Sequence, residues 1–112
     1  MNRIDPDTEI AVRRFLDEIA SRYEVEGAIL YGSRARGTHH EESDADVAVL
    51  LRGKPQGLMT VAMDMSETAF DVLLETDILV SAFPVWLNEW ENPEEHSNPT
   101  LLHNISRDGI RL

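Results

Sequence analysis

Two apolar runs of strand length, 25–31 and 46–51, stand on either side of a polar stretch that opens with Gly32-Ser33 and closes with Ser43-Asp44-Ala45-Asp46. Runs this short and this apolar read as neighbouring strands of a sheet. Whatever the chain builds must therefore carry a charged, glycine-bounded connection at one end of that sheet. The rest of the pattern supplies helices to cover it. Asp5-Pro6 reads as a helix cap with proline in the first turn, and Ala11, Val12, Phe15, Leu16, Ile19 and Tyr23 recur at helical spacing, which predicts a helix over 6–23.

After the second strand, Arg52 to Gly57 is rich in turn residues. Leu58, Val61, Ala62, Met65, Ala69, Val72 and Leu73 then mark a second helix over about 57–74. The β-formers Ile78 to Phe83 predict a third strand that stops at Pro84. Residues 84–91 suit a helical turn carrying Trp86 and Trp90 as packing residues, 92–99 a polar loop, and 99–107 a short helix ended by Asp108-Gly109. The expected fold class is α/β of the α+β type: a small mixed sheet with helices packed against it, in the order α-β-β-α-β-α, and not doubly wound.

At 112 residues and 42% hydrophobic composition, the chain is expected to form a single domain over 1–112 with one core. It has no cysteine, so any metal must sit on oxygen or histidine. No apolar leader or membrane-spanning window is present, and the expected location is cytoplasmic. Twenty-one acids against ten bases give a formal charge of −11. That charge argues against general nucleic-acid binding and is compatible with a basic protein partner.

Each part of the polar connection has a physical use. Gly32 lets a phosphate approach the backbone without a Cβ in the way, and Ser33 can donate from its hydroxyl and its N–H. Asp44 and Asp46, two apart on a strand, share one face at a separation of about 6–7 Å along the chain and can converge on a hard divalent cation. Arg34 and Arg36 are candidates to neutralise a triphosphate, or else form a surface ion-pair cluster. Ser43 is expected to brace the turn that presents Asp44, in reach of the nucleotide. His39 and His40 read as exposed loop residues and receive no role.

The run Gly32-Ser33-Arg34-Ala35-Arg36-Gly37, followed by Ser43-Asp44-Ala45-Asp46 on the next strand, resembles the signature of the DNA polymerase β-like nucleotidyltransferase superfamily. Within it the chain looks most like the minimal nucleotidyltransferases, including antitoxins paired with a HEPN-domain toxin. The tail, with Glu89 to Pro93, Asn98-Pro99 and Asn104 to Ile110, is similar as well. The resemblance implies transfer of AMP from ATP, with two Mg²⁺ ions, onto a tyrosine of the toxin in a hetero-oligomer. It also implies a third carboxylate from the next strand. Asp77, at the start of the third strand, is the candidate, with Asp71 and Glu75 as competitors. No acceptor-binding domain is expected in a chain of this length, so the acceptor is expected to come from another chain or to be held at an open cleft. An antitoxin that acts by contact alone, or a stand-alone enzyme acting on a small molecule, is the alternative.

Overall fold

The computed structural model describes residues 4–112. Helix α1 (Pro6–Ile19) begins where expected, because Asp5 accepts the Thr8 N–H at 3.1 Å and Pro6 needs no donor of its own in the first turn. It ends four residues before the predicted limit, in a pair of tight turns in which Arg22 and Tyr23 both donate to the Ile19 carbonyl. Strand β1 (Val25–Tyr31) follows, then a four-residue helix α2 (Ser33–Arg36), strand β2 (Ala45–Leu51), helix α3 (Leu58–Thr76) and strand β3 (Val80–Trp86). Helix α4 (Leu87–Glu91), a 3₁₀ turn (Pro93–Glu95), helix α5 (Pro99–Asp108) and a two-residue strand β4 (Ile110–Arg111) complete the chain.

One four-stranded sheet runs in the order β3-β2-β1-β4. β1 is antiparallel to both β2 and β4, whereas β2 and β3 are parallel and joined through α3. The mixed sheet with its helices is the expected class. Besides the early end of α1, the short helix α2 and the 3₁₀ turn in the expected 92–99 loop, two strands differ from the sequence reading. β3 continues through Pro84 to Trp86, because it is an edge strand and a proline there can turn its missing donor away from the sheet. β4 was not expected at all: two residues show no alternation to read, and Leu112 N–H adds a bond to the Ala28 carbonyl at 2.9 Å.

Alternation of side chains sends each strand's residues to opposite faces. Ala28 and Leu30 of β1, Val47, Val49 and Leu51 of β2, and Val80 of β3 pack with Ala11, Val12, Phe15 and Ile19 of α1 and Val61, Met65, Ala69 and Val72 of α3. On the other face, Ile29, Ala48, Leu50 and Val85 pack with Leu102 and Ile105 of α5, flanked by Leu87 and Trp90. Burying a side chain such as Phe15 or Leu50 contributes about 1.5–3 kcal/mol, so these two clusters fix which way β2 faces. Its even-numbered residues, Asp46 among them, face the α5 side. Among the described residues no helix is long and apolar enough to cross a membrane.

Candidate active site around Asp46

The α5 face of the sheet is apolar until it reaches the start of β2. There Asp46 takes the position that an apolar residue fills one turn of the pleat later, at Ala48 and Leu50. In register it lies between Tyr31 of β1 and Ser81 of β3. Its carboxylate is packed against the α-carbon of Gly32, where any Cβ would collide with Oδ2. Gly32 also has φ of +76°, a conformation that L side chains avoid. Glycine is thus required twice: for the turn from β1 into α2 and for the close approach of Asp46.

Half-burial pushes the Asp46 carboxyl up from the usual carboxylate range. Asp44 pushes it further, and Arg36 opposes both. Burial and the charge of Asp46 together push the Tyr31 hydroxyl up to about 12, so it remains a neutral O–H beside the acid at neutral pH. Arg36 is exposed and also acts on Asp108 at the end of α5. The expected neighbours Gly32, Ser33, Arg36, Asp44 and Asp46 are therefore gathered at one end of the sheet. Ser33 opens α2, directly after the turn at Gly32. Asp44 and Asp46 thus place two carboxylates of like charge at this end of the sheet, with Arg36 acting on Asp46, and carboxylate oxygens are the ligands that a hard divalent cation takes.

Arg34, a candidate for the phosphates, is placed elsewhere. It is buried, and its guanidinium donates to the Ser43 carbonyl at 2.8 Å, the Glu41 carbonyl at 3.3 Å and the Thr8 hydroxyl at 2.8 Å, with Asp5 at 3.7 Å. A buried guanidinium must find acceptors, and the carbonyls of the loop before β2 supply them. Arg34 thus clamps the 38–44 loop to the N-terminus of α1. Ser43 serves the same loop, with its hydroxyl accepting the His40 N–H at 3.1 Å and its own N–H donating to the His40 carbonyl at 3.0 Å.

The structure does not bring Asp77 to Asp44 and Asp46. Asp77 caps α3 in the left-handed conformation, with φ of 63°, and its N–H donates to the Leu73 carbonyl at 2.8 Å. A short polar side chain tolerates that conformation better than most, which explains an aspartate at this turn. It lines a cleft of about 550 Å³ with Asp5, Arg34 and His39 rather than the Asp46 face. Glu75 is paired with Arg14 of α1 at 2.7 Å, and Asp71 is exposed on α3. Among the described residues no three acids or histidines are grouped closely enough to hold a metal. The β3 residue opposite Asp46 is Ser81. Tyr31 and Ser81 went unforeseen because only the strand register puts them beside Asp46.

No curated protein matches the chain. Among solved structures, one from Sulfolobus solfataricus, provisionally described as a nucleotidyltransferase, is similar at 17% identity and a TM-score of 0.47, over 99% of this chain and 89% of that one. The family model described as "Polymerase beta, Nucleotidyltransferase" matches residues 15–83, a span that runs from within α1 into β3 and takes in the whole Gly32 to Asp46 connection. With more than half of its length matched in that way, the chain belongs to the polymerase β nucleotidyltransferase family.

Proposed function

We propose that the protein transfers a nucleotidyl group from a nucleoside triphosphate to a hydroxyl presented by a partner chain. In its specific form this is AMP from ATP onto a tyrosine of a HEPN-type toxin, with the protein as antitoxin. The observation that carries the reading is the half-buried Asp46 carboxylate, pressed on Gly32 with Asp44 in electrostatic reach and Ser33 at the adjoining turn. Asp44 and Asp46 would hold Mg²⁺, which when bound would offset the triphosphate's charge and polarise the phosphoryl group under attack. The chain's own residues do the positioning. Ser33 donates to a phosphate oxygen, Arg36 adds an exposed positive charge at the rim, and Arg34 holds the loop so that Asp44 stays beside Asp46.

A second reading, that the protein binds nucleotide and neutralises its partner by contact without transfer, is favoured by Ser81 standing opposite Asp46 where a third carboxylate would complete the set. Incubation with α-labelled ATP, Mg²⁺ and a HEPN-type protein as acceptor separates the two. Wild type should label the partner, and Asp44→Asn with Asp46→Asn should abolish labelling while circular dichroism stays unchanged. Wild-type labelling by that double variant would contradict the assignment. Loss of labelling in Asp77→Asn equal to that in the double variant would make Asp77 the third carboxylate after all, and no labelling by wild type would favour contact alone.

A further inference from the structure

The outer face of α3 is apolar where a solvent-facing helix is normally polar. Met59, Met63, Phe70 and Leu74 are 71%, 63%, 55% and 69% exposed. At 3.6 residues per turn they fall within a sector of about 60° and run for roughly 23 Å. That stripe lies opposite the face buried by Val61, Met65, Ala69 and Val72. Single apolar residues on a surface are ordinary, but four on one helical face over this length, interrupted at its middle only by Ser66 and Glu67, mark a contact face.

Charge on the same helix says what covers it. Residues 58–76 contain Asp64, Glu67, Asp71 and Glu75 and no lysine or arginine, and by helical spacing all four acids line one side of the stripe. Asp64 is held by Tyr23 at 2.6 Å and Arg22 at 3.3 Å, and Glu75 by Arg14. Glu67 and Asp71 make no ion pair among the described residues. A second copy docked through this stripe would sit about a two-fold axis at its middle, setting Glu67 against its own counterpart. Like charges at the centre of a contact disfavour that occupant.

We infer that the α3 stripe docks an amphipathic helix of another chain, one with apolar side chains at helical spacing and lysine or arginine along one flank. Two unbranched, pliable methionines suit a helix-against-helix contact that reads its partner through a few apolar anchors. The surface is on the helical layer away from Asp46, so it stands whether or not nucleotidyl transfer occurs.

The test uses two labelled helical peptides with the same leucine stripe, one flanked by lysine and arginine and the other by glutamate, titrated by fluorescence anisotropy at physiological ionic strength. The cationic peptide should bind at least tenfold more tightly than the acidic one. Met63→Ser with Phe70→Ser, which keeps every charge, should lose at least tenfold of that affinity with an unchanged circular dichroism spectrum. Glu67→Lys with Asp71→Lys should reverse the preference. Cationic binding undiminished in the Met63/Phe70 variant would reduce the effect to bulk charge attraction and overturn the proposal. Equal binding of both peptides would also overturn it, as would a dimer in sedimentation that the same variant dissolves.

Discussion

Asp46 is an acid in a position where the strand's pattern calls for an apolar side chain, and an unpaired, half-buried carboxylate is costly unless something uses it. That cost was already visible in the sequence, where Ser-Asp-Ala-Asp runs directly into Val-Ala-Val-Leu-Leu. Arg34 shows the opposite case. Its neighbours in sequence suggested phosphate, but the direction of a side chain leaving a short helix depends on the surrounding packing, and there the unsatisfied loop carbonyls took it. Asp5 lies in the same network as Arg34. Burial pushes its carboxyl up, but the hydrogen bonds from Thr8, together with His39 and Arg34, outweigh burial and hold it below the usual range. A carboxylate held low in the fold stabilises it fully at neutral pH, and that contribution is lost as pH falls from the unfolded value, about 3.9, through the folded one. Urea unfolding of wild type and Asp5→Asn should therefore show wild type more stable at pH 7 and the gap closing below about pH 4. A gap independent of pH would mean that the charge of Asp5 is not what matters.

The long elements were legible because α1 and α3 are long enough to show period and the strands are bounded by turn residues; α2 was not, since four residues cannot display a period. Its ends could be read all the same, from Gly32 and from Gly37 with φ of +75°. β4 and the passage of β3 through Pro84 depend on which strands lie at the edges, and sheet order is a long-range property. The loop between α2 and β2 is the element on which the site depends, because it carries Asp44. Arg34 is its tie to the body of the protein. Arg34→Lys, with a single ammonium in place of a fork of donors, should leave part of the loop unsatisfied and cost about 1–3 kcal/mol. Hydrogen exchange should then quicken over residues 38–44 while α3 is little changed. Quickening spread evenly over the whole chain would show that Arg34 supports the fold at large and has no particular hold on the loop.

At the scale of the molecule, one sheet separates two surfaces with different character. On one face α5 and α4 cover the sheet up to the end where Asp46, Tyr31 and Gly32 meet. On the other, α1 and α3 enclose the larger core and α3 turns its apolar stripe outward. The formal charge of −11 makes a polyanionic triphosphate an unfavourable guest for the protein alone, and in the proposed reaction the Asp44/Asp46 pair would make the repulsion worst where the triphosphate is to sit. On that proposal, binding would depend on a divalent cation to bridge the two sets of oxygens. Isothermal calorimetry of ATP with the wild-type protein, in Mg²⁺ and in excess EDTA, tests this most directly, with Asp44→Asn plus Asp46→Asn as the third titration. The account predicts binding by wild type in Mg²⁺ and at least a tenfold loss both in EDTA and in the double variant; equal ATP affinity in all three titrations would contradict it.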